Sequence, residues 1–157
     1  MPDGPRYDDD FYAWTQHQGA VLREMPVPDN RFDRDNVAEE IEALGRSERD
    51  AVRSQIRRIL EHFLKLAYSP AQDPRFDWMA SVSDARAILS DKMSRSLRRD
   101  VRTRLPKLYQ DARERSELAL RRHHEGEAAA ALPALCPYTL DEILRAGWYP
   151  EPCGAPK

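Results

Sequence analysis

Between Val52 and Ala67 the sequence places apolar side chains at Val52, Ile56, Ile59, Leu60, Phe63, Leu64 and Ala67. Steps of three and four residues hold these positions on one side of an α-helix, whereas a strand would need strict alternation. The arc is broader than the seam between two helices, so this helix is expected near the middle of a bundle. Ser69-Pro70 ends it, because proline disfavours helical geometry in the residue before it. Whatever else the chain forms has to cover that arc.

The rest of the sequence supplies further helices. Tyr7, Phe11, Trp14, Gln18, Val21, Leu22 and Met25 line one face of a first helix, opened by Asp8, Asp9 and Asp10, whose charge suits a helix N-terminus. MPVPDNRFD, residues 25–33, reads as a turn. A second helix is expected from about Asp35, carrying Val37, Ile41 and Leu44, with Gly45 interrupting it and Ser47 and Asp50 starting the central helix. A helix-turn-helix around Gly45 fits poorly, because the helix that follows spends its surface on apolar residues.

Trp78, Val82, Ala85, Leu89 and Met93 mark a fourth helix. Leu97, Val101, Leu105, Leu108, Ala112 and Ala119 mark a fifth, with a kink expected at Pro106. After an alanine-rich passage around Gly126, Thr139 is placed to cap a short helix carrying Leu140, Ile143 and Leu144, stopped by Gly147. The expectation is an all-α, single-domain bundle of five to six helices over residues 7–151, with flexible ends at 1–6 and 152–157. Trp14, Ile41, Ile56, Phe63, Val82, Leu89 and Leu105 are its expected core.

Composition narrows the function classes. A chain of 157 residues is one domain in length. Lys+Arg 25 against Asp+Glu 27 gives a formal net charge of -2, so no overall field draws DNA, RNA or anionic lipid. The opening residues carry no signal-peptide pattern, and no apolar run approaches the roughly 20 residues of a membrane span. Two cysteines, Cys136 and Cys153, without CxxC spacing suit a reducing cytoplasm, which is the expected location.

Four segments share a further property. YDDDFYAW (7–14), NVAEEIEALGRSER (36–49), HFLKLAYSP (62–70) and CPYTLDEIL (136–144) resemble, in order, the bacterial DUF29 family. The resemblance runs from about Tyr7 to Glu151. It implies an all-helical cytoplasmic bacterial protein and brings no established activity, substrate or catalytic set.

The candidate sites come from the residues alone. No Gly-rich phosphate loop, HExxH, G-x-S-x-G or inward Glu-x-x-His pair is present, so no cofactor or metal is expected. In EHFLKLAYSP, His62 and Lys65 fall on opposite margins of the apolar arc and do not converge. Arg86 and Glu40 lie near the core lines of their helices, and His17 flanks Trp14. If the helices pack around the central one, Glu40, His62, Arg86 and His17 meet in a partly buried polar patch, with Glu40 paired to Arg86.

A second candidate is electrostatic. Arg95, Arg98, Arg99 and Arg102 recur at i, i+3, i+4 and i+7, one helix face able to track phosphates, among further cations at Lys92, Arg104 and Lys107. Neutralisation by the acidic stretch 29–50 is the plainer reading. Trp148 and Tyr149, near the end, dock either on their own bundle or on another chain. The leading expectation is a cytoplasmic protein-interaction module, self-associating or binding another protein, without catalytic apparatus. Nucleic-acid binding through the basic helix 92–107 is the alternative. A hydrolase or metal-dependent activity at the Glu40/His62/Arg86 patch comes third.

Overall fold

A computed structural model describes residues 3–153. Within them the chain is all-α, with six helices: α1 (Phe11–Glu24), α2 (Arg34–Tyr68), α3 (Arg75–Lys92), α4 (Arg95–Arg122), α5 (Gly126–Ala131) and α6 (Leu140–Leu144). The expected second and third helices are one. α2 runs for 35 residues straight through Gly45, and α5 is the helix that the alanine-rich passage forms. The contacts group into two compact units, one of residues up to Val52 with Lys92–Asp100, the other of Arg53–Asp91 with residues from Val101 onward.

In the first unit α1 and the N-terminal part of α2 form an antiparallel hairpin. Gln16 donates to the Glu42 carbonyl at 3.1 Å, and Arg23 donates to the Glu42 carboxylate at 2.9 and 3.2 Å. Gly45 explains why α2 is not broken. A Cβ there would meet Thr15 Oγ1 at 1.9 Å, so this glycine lets α1 approach α2 and serves no turn. Thr15 is fully buried, and its hydroxyl donates back to the Tyr12 carbonyl at 2.7 Å.

Asp10 caps α1 by accepting from the Ala13 N–H at 3.0 Å, and it also accepts from the N–H and hydroxyl of Ser96 at 2.8 and 2.6 Å. Burial works against the charged carboxylate, but the bonds from Ser96 and Ala13 outweigh it and hold the carboxyl below its ordinary range.

The second unit is built on the C-terminal half of α2. Ile56, Ile59, Leu60, Phe63 and Leu64 are all fully buried, as the apolar arc required. Val82 and Leu89 of α3, Val101, Tyr109 and Ala112 of α4 and Ile143 of α6 share that unit's interior. Of the expected core, Ile56, Phe63, Val82 and Leu89 are buried, while Trp14, Ile41 and Leu105 are half-buried. α4 continues through Pro106.

α6 opens with a capping box, in which Thr139 accepts from the Glu142 N–H and the Glu142 carboxylate accepts from the Thr139 N–H. It ends at Leu144, before Gly147, whose φ of +77° belongs to the turn beyond. Of the ends expected to be flexible, residues 1–2 and 154–157 lie outside the described residues. Cys153 is tied to the bundle, its N–H donating to the Ala67 carbonyl at 2.6 Å.

Candidate functional site

Of the polar residues expected to converge, His17 and Glu40 belong to the first unit and His62 and Arg86 to the second. Arg86 is buried, at 8% exposure, and its guanidinium donates to the carbonyls of Ile143 at 2.9 Å, Glu142 at 3.1 Å and Trp148 at 2.8 Å. It also lies over the rings of Phe63 and Tyr149, at 5.5 and 5.4 Å. Arg86 thus fastens the segment after α5 to the second unit, and its partners are main-chain carbonyls in place of the expected Glu40.

Glu40 is exposed and has no ion pair among the described residues. Glu40 and His62 both lie on the unbroken α2, Glu40 in its N-terminal part and His62 in its C-terminal part. The expected patch assumed a turn at Gly45, which the helix does not make.

The two histidines have local surroundings. A Cβ on Gly4, which has a φ of +121°, would lie 2.6 Å from the His17 ring. The N-terminal segment therefore packs directly on this imidazole. His62 is half-buried with Nδ1 unpaired. Burial, reinforced by Lys65 and Arg58, lowers its pKa to about 4. The shift favours the neutral imidazole, and Nδ1 makes no hydrogen bond that would orient the ring. No group of three or more metal-ligating side chains occurs among the described residues.

The basic row lies on the first two turns of α4, where Arg95, Arg99 and Arg102 are exposed and Arg98 is half-buried. Two neighbouring cations are already neutralised, Lys92 by Glu48 at 3.0 Å and Lys107 by Asp111 at 2.6 Å. Trp148 and Tyr149 dock within their own unit. The Trp148 ring sits 5.3 Å from that of Phe63, and the Tyr149 hydroxyl donates to the Met79 carbonyl at 3.4 Å.

Two further features stand out. The first is an apolar side of the α1/α2 hairpin. The helices meet along Thr15 and Gly19 on α1 and Ala38 and Gly45 on α2, all buried. At 100° per residue, Val37, Ile41 and Leu44 of α2 turn the same way off that line, Val21 of α1 turns the same way by a wider angle, and Met25 is the C-cap residue that follows α1. Val21 is 39% exposed, Met25 51%, Val37 37% and Leu44 59%. Glu24 and Glu40 border this strip, one on each helix, and neither has an ion pair among the described residues.

The second is a hollow of about 380 Å³ in the second unit, lined by Lys65, Pro74, Trp78, Leu120, His123 and Glu125 among others. α4 ends on a Schellman turn, with the Glu125 N–H reaching the Leu120 carbonyl at 2.9 Å and the His124 N–H reaching that of Arg121 at 3.1 Å. His124 occupies the left-handed position, with φ of +62° where glycine is usual. The turn brings Glu125 to Ser69, whose hydroxyl hydrogen-bonds its carboxylate, with 2.9 and 3.0 Å to the two oxygens. Lys65 is on the margin of α2 by its spacing, and the hollow that it lines takes Trp78 from α3 and Leu120 from α4, far along the chain.

A family model described as a domain of unknown function, DUF29, matches residues 6–149. The chain belongs to the DUF29 family. The resemblance expected from four segments therefore holds across nearly the whole of this DUF29 chain. A crystal structure of an α-helical protein of unknown function from Rhodospirillum rubrum is similar, with TM-score 0.81 and 23% identity over 93% of each chain. At that identity the likeness shows the fold of the DUF29 chain alone. The curated proteins contain no match to it. No helix among the described residues is long and apolar enough to cross a membrane.

Proposed function

We propose that this DUF29 protein is an interaction module that docks a basic amphipathic helix of a partner protein on the exposed apolar residues of its α1/α2 hairpin. The observation that carries the reading is the strip Val21, Met25, Val37 and Leu44, each more than a third exposed along the helix pair. Large side chains left in water along a helix pair are what a helix-in-groove contact uses, anchored at i, i+3/i+4 and i+7. The Glu24 and Glu40 borders favour cations flanking the apolar side of the incoming helix. An acid-edged strip repels a second copy of itself, which sets a foreign partner above self-pairing.

A photo-crosslinking amino acid at position 44 or 25, expressed in the native host, tests this. The expected result is a protein adduct at both positions, absent from a probe at exposed Ser90 and abolished at position 25 by Leu44→Glu with unchanged melting. Adducts that are equally abundant at position 90, or that consist of nucleic acid or of this chain itself, overturn the reading.

A further inference from the structure

We infer that the hollow between the end of α2, the start of α3 and the end of α4 is a binding site for a small apolar zwitterion, of the class of a free aromatic α-amino acid. Its volume, about 380 Å³, sits near the lower end of the roughly 300–1,000 Å³ of small-molecule sites. Its walls combine an indole, Trp78, and the apolar residues Pro74 and Leu120 with one ammonium, one carboxylate and the imidazole of His123.

The two charges carry the argument. Lys65 and Glu125 line the same small space, yet no ion pair joins them; the Lys65 carbonyl accepts from the Ser69 N–H, while its ammonium has no hydrogen-bond or ion-pair partner among the described residues. Glu125 is held back by the Ser69 hydroxyl at 2.9 and 3.0 Å, and Ser69 is itself 5% exposed and fixed by its place at the end of α2.

A carboxylate so positioned stays available to an incoming ammonium without first reorganising. Lys65 offers the complementary contact to a ligand carboxylate, as a flexible point charge. Trp78, on the wall of the hollow, supplies indole surface for an apolar or aromatic side chain. A simple anion would meet the Glu125 charge, and a simple cation would meet that of Lys65. A ligand carrying both poles satisfies both.

Calorimetric titration of the intact protein with L-phenylalanine tests the inference, beside phenylalaninamide, which lacks the carboxylate, and N-acetylphenylalanine, which lacks the ammonium. Saturable binding of phenylalanine is expected, with both derivatives at least tenfold weaker. Lys65→Met should weaken phenylalanine at least tenfold and leave the amide unchanged, and Glu125→Gln should weaken phenylalanine while leaving the acetyl derivative unchanged. Circular dichroism melting of both variants shows that the fold persists. Absence of saturable binding at millimolar phenylalanine, equal binding of all three compounds, or full binding by Lys65→Met overturns the proposal.

Discussion

Arg86 shows how much one side chain organises here. Its guanidinium holds three carbonyls from the segment around α6, and a neutral replacement strands them inside the second unit. Arg86→Met is therefore expected to destabilise by about 3 kcal/mol, read from urea denaturation, since each stranded buried acceptor costs about 1–3 kcal/mol. Glu40→Ala, by contrast, removes an exposed carboxylate and is expected to stay within about 0.5 kcal/mol of the parent. An equal loss in both variants would restore the Glu40–Arg86 pair that the sequence suggested.

His62 gives a second test at this scale. Its folded pKa of about 4 lies below the ordinary 6.5, so between those values the unfolded chain binds the extra proton. Stability from this residue is complete above about pH 6.5 and falls as pH drops through the window toward 4. His62→Gln should flatten that part of the stability–pH curve. A proton NMR titration placing the imidazole near 6.5 would refute the assignment.

At the scale of elements, Gly45 decides whether α1 and α2 form a hairpin. Alanine raises helix propensity by about 1 kcal/mol over glycine, which taken alone would stabilise a 35-residue helix. The added Cβ would instead lie 1.9 Å from Thr15 Oγ1, so overpacking of about 1–3 kcal/mol should win. Gly45→Ala is expected to lower the melting temperature, and adding Thr15→Ala should recover part of the loss. A Gly45→Ala protein that melts higher would mean that α1 stands farther from α2.

The helix faces themselves were legible, because spacing by three and four is a local property of the chain. Gly45 was not legible in the same way, because glycine suits both a turn and a close approach. A single sequence does not show which neighbour stands opposite. The α5 helix was missed for a related reason. Its six residues, GEAAAA, bury mainly Ala129 and give no periodic pattern to read.

For the molecule as a whole, the buried face of α2 in the second unit is decisive. Phe63 is fully buried and meets the rings of Tyr138 and Trp148 at 5.1 and 5.3 Å, with Arg86 above it. Phe63→Asp places an uncompensated charge there and is expected to cost more than about 4 kcal/mol, seen as lost helical dichroism and sharply reduced melting. A soluble variant with unchanged melting would refute the register of α2.

That register, the all-α class, the cap at Thr139 and the family followed from the sequence by itself, since each rests on residues within a few positions of one another or on ordered segments. Which polar residues meet was decided by tertiary structure. Arg86 finds carbonyls some 60 residues away, and Lys65 and Glu125 share a hollow although α3 and α4 separate them in the chain. Periodicity reports the side of a helix on which a side chain stands, and only packing supplies what it faces.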